Sequence, residues 1–343
     1  MKLVIKKIIN REICHYANDT LLITSKANCI FVDGQNYQYI ITIPINKLWK
    51  KIAVHFRIFR RVFRLDKMNV IPVENGFCII YQGVVWHYDT NNKKLLKILR
   101  LENCRNLLHQ SVTVLDSGKT IYFGEYGANK QRAEVPVWRS LDGGKSWHKV
   151  FVFPAGKIKH IHGCYYDPVE DKIWTLTGDF AGECYLLCSD RDFHDVEWVG
   201  NGQQESRAVN AFFEYDSIHW IMDSQLQDSY HILLDRSTRK LEQKSMFPGP
   251  AWYSKKLSDG YYLVTTAVEI GVGVHDEYAH ILLSKDLNTW EDIFQFRHDH
   301  LPKRYFKWGV LAFADGEQSS QEFYIFGEAL KGLDGKIAIC QLN

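Results

Sequence analysis

The chain has 343 residues, with 42 Lys and Arg against 40 Asp and Glu, and a formal charge of only +2 excludes bulk attraction to nucleic acid. Hydrophobic residues make up 46% and charged residues 24%, which supplies a large core and is incompatible with a disordered chain. Aromatic residues reach 14%, including 10 Trp and 18 Tyr, and their preference for half-buried strands makes an all-β fold the leading class.

In chain order, Leu3 to Ile9 reads as an apolar strand. The residues after it are interrupted by Asn10, Arg11, Glu12 and His15 before any long apolar run forms, so no export signal is read and a cytoplasmic location is expected. A first quartet of short strands starts at Arg11, and a basic, aromatic insertion at about 45–67 then breaks the spacing. It carries Lys50, Lys51, Arg57, Arg60, Arg61, Arg64 and Lys67 among Val, Ile and Phe, a composition suited to a lid, an anionic membrane surface or a second subunit. No stretch approaches the roughly 18 to 20 apolar residues of a membrane span. The eight Cys are scattered through apolar strands without redox or zinc-knuckle spacing, which predicts buried, reduced thiols.

Turn residues Asp33, Asp89, Asp142, Asp190, Asp235 and Asp286 recur at gaps of 56, 53, 48, 45 and 51. A period near 50 with several short strands per repeat marks a β-propeller. The fourth unit lays out best, as Ile161 to Asp167, Lys172 to Thr177, Cys184 to Ser189 and Val196 to Val199. The fifth follows with Ala208 to Tyr215, Ile218 to Met222, Tyr230 to Leu234 and Leu241 to Met246. Six quartets reach about Phe296, and the remainder supplies three strands that Leu3 to Ile9 would complete. The expectation is one all-β domain over 1–343, a seven-bladed propeller of four-stranded antiparallel blades closed by the N-terminal strand, with six blades as the alternative.

One turn is far more specific than the others. Ser140-Leu141-Asp142-Gly143-Gly144-Lys145-Ser146-Trp147 matches the Asp-box pattern, Ser284 to Trp290 is a degenerate copy, and Ser189-Asp190 with Trp198 a weaker one. The Asp and Ser side chains can bond the turn's own backbone while Gly supplies positive φ. On these motifs the chain resembles the sialidase-like, Asp-box repeat superfamily, which implies a propeller with the boxes on the face opposite its site. Sialidases use three Arg, a Tyr activated by a Glu, and an acid/base Asp, so the resemblance implies roles for Arg207, Arg304, Arg64, Tyr253 and Glu269. The chain offers Arg57-Ile58-Phe59 where that family carries Arg-Ile-Pro, and seven blades in place of six, which sets it apart from a true sialidase.

In a propeller the start of each innermost strand and the end of each second strand meet at one mouth. The second-strand ends read Gln82, Glu125, Asp179, Asp223, Glu269 and Glu328, and the first-strand starts His109, His160, His162, Arg207, Tyr253, Lys303, Arg304 and Lys307. Interleaved acids and bases of this kind suit a hydroxyl-rich, anionic ligand and strongly coupled protonation. Catalytic candidates are therefore Glu125, His162, Asp179, Asp223, Tyr253 and Glu269. Binding candidates are His109, Tyr126, His160, Arg207, Trp252, Arg304, Lys307 and Glu328. His160 and His162 alternate onto one strand face and, with His109, could hold a divalent metal; no other cofactor is expected. These readings add up to a carbohydrate-active enzyme acting on an acidic oligosaccharide or polysaccharide, a glycoside hydrolase of sialidase-like type, with a uronate polysaccharide lyase as one alternative. A non-catalytic glycan- or protein-binding propeller is the other. No nucleic-acid partner is expected, and the 45–67 insertion is the candidate for peripheral membrane contact or self-association.

Overall fold

The structure is a computed structural model that describes residues 1–34 and 38–343. Its strands form seven four-stranded antiparallel sheets, the blades of a β-propeller, and the six-bladed alternative falls away. The chain divides into two compact units, one of residues 1–68, 225–228 and 248–343, the other of residues 69–224 and 229–247.

The first unit carries three blades. One is Ile13–Ala17, Leu22–Lys26, Cys29–Asp33 and Gln38–Thr42; another is Ala251–Lys256, Tyr262–Thr266, Tyr278–Ser284 and Glu291–Arg297. The last combines Val310–Phe313, Phe323–Glu328 and Lys336–Leu342 with Leu3–Ile9, which pairs from Leu3↔Leu342 to Ile9↔Ile337 and covers an otherwise open edge, as the sequence predicts.

The second unit carries four blades, built on Met68–Val73, Thr113–Leu115, His160–Asp167 and Phe212–Phe213 as their first strands. Between the last two of these blades, Trp174, Leu176, Leu186 and Val199 pack against Ala208, Ile218, Trp220 and Ile232. Trp174 and Trp220 are fully buried, and truncating either to Ala would cost about 3–5 kcal/mol. Strand boundaries follow the sequence reading except at Ala208 to Tyr215, where only Phe212–Phe213 pairs. The residues before it form a 3₁₀ turn, Gln204–Ser206, that delivers Arg207 instead of extending the sheet.

The insertion is helical: α1 spans Leu48–Ala53 and α2 spans Arg57–Phe63, with a single turn, α3, later at Lys303–Phe306. Neither α1 nor α2 has a side-chain N-cap, and helices this short draw their stability from tertiary contacts. No helix among the described residues is long and apolar enough to cross a membrane. All eight cysteines are free and all but Cys29 are buried, which pushes thiols such as Cys78 and Cys164 up to about 12.

Candidate functional site

Of the sequence-predicted residues, His160, His162, Asp179, Arg207 and Asp223 gather into one cluster in the second unit, and Lys307 and Glu328 pair in the first. In the second unit the centre is Asp179, just past the strand Lys172–Gly178, whose last residue pairs with His160. Two residues apart on one strand, whose pairing shifts register between Ile161 and Gly163, both imidazoles reach it: His160 Nε2 and His162 Nε2 each lie 3.3 Å from Asp179 Oδ1. Their other nitrogens are fixed, His160 Nδ1 at 2.7 Å from the Gly127 carbonyl and His162 Nδ1 at 2.7 Å from the Ala208 carbonyl. Gly178 makes the packing possible, because a Cβ there would stand 2.9 Å from His162 Cε1 and 3.1 Å from Arg207 Cγ.

Arg207 spans the cluster, donating to Asp179 Oδ1 at 3.3 Å and to the Asp179 carbonyl at 2.9 Å, and it reaches Asp223 Oδ2 at 3.2 Å. Lys159 binds the second oxygen of Asp179, and Gln204 donates to the Asp179 carbonyl at 3.0 Å. The Tyr126 ring lies 4.3 Å from that of His160. Burial alone would raise the Asp179 carboxyl, but hydrogen bonds and charge from His160 and His162 override it and hold the group well below the usual carboxylate range. Glu125 behaves oppositely: burial pushes its carboxyl up, although it accepts the Trp138 indole N–H at 3.0 Å and the Asn103 N–H at 3.3 Å. The histidine pair is joined by Asp179 as the third ligand-type group within reach, and His109 is not part of that group. Lys159 and Gln204 were missed by sequence reading. Lys159 immediately precedes His160, which is the available signal, whereas Gln204 lies in the 3₁₀ turn Gln204–Ser206 and carries no local signal.

In the first unit, the helices stand on a bed of ion pairs. Arg57 bonds Glu12 at 3.0 Å and Asp334 at 2.7 Å, and also Asp66. Arg60 meets Glu12 at 2.8 Å and Arg61 meets Asp299 at 2.6 Å. Lys307 bridges Asp66 at 2.7 Å and Glu328 at 3.3 Å, and Lys67 also binds Glu328. Gly335 leaves room for this, since a Cβ there would lie 2.8 Å from Arg57 Nε. Lys307 and Glu328 therefore belong to the support of the insertion, not to a ligand-facing surface. Nearby, Glu269 accepts the Trp252 indole N–H at 2.7 Å, Tyr253 is buried, and Arg304 on α3 lies 5.8 Å from the Tyr305 ring.

With its arginines turned inward, the helical pair shows its apolar side to solvent: Leu48, Trp49, Ile52, Phe56, Ile58, Phe59 and Phe63 are all exposed. The aromatic members form a continuous strip, with ring centroids 5.0 Å apart for Trp49–Phe63, 6.2 Å for Phe59–Phe63 and 5.8 Å for Phe56–Phe59.

The Asp-box turn has the self-bonded form its residues predict. Asp142 Oδ1 accepts the N–H groups of Lys145 at 3.0 Å and Ser146 at 2.9 Å, and Ser140 Oγ accepts that of Gly144 at 2.8 Å. In the degenerate copy, the backbone N–H groups of Thr289 and Asn288 draw the Asp286 carboxyl down to about 2.

No protein-family model and no curated protein matches the chain. Similar solved structures include YCF48 bound to D1 peptide, with 10% identity, TM-score 0.58 and coverage of 100% of this chain and 95% of that one. BamB from Moraxella catarrhalis aligns at 10% identity and TM-score 0.52, covering 96% of this chain and 83% of its own. The β-propeller domain of Myceliophteria thermophila Cps50 (Swd1) gives 9% identity and TM-score 0.55, covering 99% and 100%. At such identities the likeness establishes the fold alone.

These findings correct two expectations. The sialidase-like assignment does not stand: the similar structures are propellers of other descriptions, and the Asp-box turn is local hydrogen-bond chemistry that any hairpin can adopt. The carbohydrate-active enzyme falls with it, as hydrolase and as lyase, and no comparison supports an acidic glycan partner. The physical reason is visible in the clusters: Arg207 is bound to Asp179 and Lys307 to Glu328, so acids and bases that sequence reading offered to a sugar neutralise one another.

Proposed function

We propose that the chain is a non-catalytic interaction propeller that holds an apolar, acidic segment of another protein on the exposed face of α1 and α2. The observation that carries this reading is the strip of seven large apolar side chains on sixteen residues, Leu48 to Phe63, turned outward over buried arginines. An exposed apolar surface of that density costs solubility unless something covers it, and aromatic residues with a cationic rim are the composition of protein-binding hot spots. The rim supplies the charge preference: Lys47 and Lys51 are exposed, and the sequence has no Asp or Glu between Asp33 and Asp66. YCF48, described as bound to D1 peptide, is a case of the same fold holding a peptide.

The test places a photo-crosslinking residue at Phe59 in the full chain, identifies the captured protein, and measures its binding to the purified propeller by calorimetry. A Trp49→Ser/Phe59→Ser/Phe63→Ser variant is expected to weaken that binding by at least about 100-fold, more than the loss of one hot-spot contact, with unfolding unchanged. Retained binding in the triple variant would overturn the reading. So would stoichiometric binding of the wild-type chain to anionic phospholipid vesicles, lost in the same variant, with no protein captured.

A further inference from the structure

We propose that His160, His162 and Asp179 form a binding site for a divalent transition-metal ion. The argument starts from proton count. A backbone carbonyl only accepts hydrogen bonds, so Nδ1 of His160, facing the Gly127 carbonyl, and Nδ1 of His162, facing the Ala208 carbonyl, must each carry the ring proton. On rings so oriented, Nε2 is the nitrogen that either donates a proton to Asp179 or, without one, offers its lone pair to a cation. Both Nε2 atoms point at Asp179 Oδ1, 3.3 Å away in each case. Two imidazole nitrogens and one carboxylate oxygen thus converge within 4.8 Å of one another. A cation placed between them satisfies all three.

The surroundings are those of ligands held for a metal. Each imidazole is oriented by a carbonyl on its far nitrogen, the second contact that fixes tautomer and ring direction in metal centres. Both histidines are 2% exposed, so their rings are locked by packing. Two imidazoles and one carboxylate are a set that suits Zn²⁺, Mn²⁺, Fe²⁺ or Co²⁺ in preference to Mg²⁺ or Ca²⁺, and such a set leaves coordination positions for water or a ligand group. Lys159 occupies the other oxygen of Asp179, and Arg207 has the Asp179 carbonyl and Asp223 as further partners, so Oδ1 can be ceded without stranding either cation. The site does not depend on the helical face argued above.

The experiment uses tag-free full-length protein, stripped with EDTA and titrated with ZnCl₂ by calorimetry and with CoCl₂ by visible absorption. One equivalent of Zn²⁺ is expected, with Co²⁺ giving d–d bands free of thiolate charge transfer and broadening the ring NMR signals of His160 and His162. Asp179→Asn, which preserves side-chain size, and His162→Gln should each weaken binding by at least about 100-fold, as loss of a ligand does more than the 10- to 100-fold loss seen for supporting groups. Far-UV circular dichroism and thermal unfolding establish that the variants fold. Absence of stoichiometric Zn²⁺ uptake overturns the proposal. So does uptake that survives both substitutions, or that is lost in His194→Ala, which removes the exposed Asp190, Asp192, His194 group instead.

Discussion

The bed of ion pairs beneath α1 and α2 and the cluster around Asp179 are both made of buried charge, yet they differ in what carries the positive end. Under the helices, guanidinium and ammonium groups meet carboxylates, as in Arg57 with Asp334 and Lys307 with Asp66. Each cation has a carboxylate partner, so each pair is closed and the result is a foundation. Around Asp179 two groups are imidazoles whose Nδ1 atoms face backbone carbonyls. Their Nε2 atoms converge with Asp179 Oδ1 as a set of metal-ligand type. Buried charge by itself does not mark a site; buried groups that bring ligand-type atoms to one point do.

The largest effect that tests this contrast is expected on the foundation. Lys307→Met strands Asp66 and Glu328 in a dry setting and should lower unfolding free energy by about 3–5 kcal/mol in chemical denaturation. A smaller loss would mean that Lys67 and Arg57 already suffice for those carboxylates.

A second measurement separates histidines that are merely buried from those that converge. His219 and His231 bond each other at 2.9 Å, and burial lowers them to about 4 and about 3, with Glu214 and Lys244 as the nearby charges on His219. Both folded-state values lie below the unfolded value of about 6.5, so the neutral pair's contribution is complete above pH 6.5 and is lost as pH falls toward 4. Stability should drop by on the order of 3 kcal/mol between pH 6.5 and 5. His219→Gln/His231→Gln should flatten that limb in pH-dependent thermal unfolding. An undiminished limb would assign the acid sensitivity to other groups.

Outside both regions, Asp142→Ala removes four polar contacts from an exposed turn and should cost about 1–2 kcal/mol without changing partner or metal binding. The smallest stability effect is expected for Lys159→Met, below about 1 kcal/mol because the ammonium is partly solvated. The same change removes a positive charge from the Oδ2 side of Asp179 and should tighten Zn²⁺ binding. Weaker binding in this variant would show that Lys159 orients Asp179.

Legibility followed the range of the interactions. The Asp turns, the strand quartets and the use of Leu3–Ile9 in the last blade were readable because alternation and turn chemistry act over a few residues. The convergence of His160, His162, Asp179 and Arg207 was readable too, since it follows from where strands start and end. The pairing of Lys307 with Asp66 spans 241 residues and left no local trace. Nor did the inversion of α2, whose arginines would ordinarily be assigned to solvent and whose phenylalanines to the core. Sequence by itself thus determined the blades and the place of His160, His162, Asp179 and Arg207 in one cluster, through local backbone chemistry repeated along the chain. Only the tertiary structure decided which charges neutralise each other and which apolar side chains are left outside, because a buried arginine is stable only where distant carboxylates are brought to meet it.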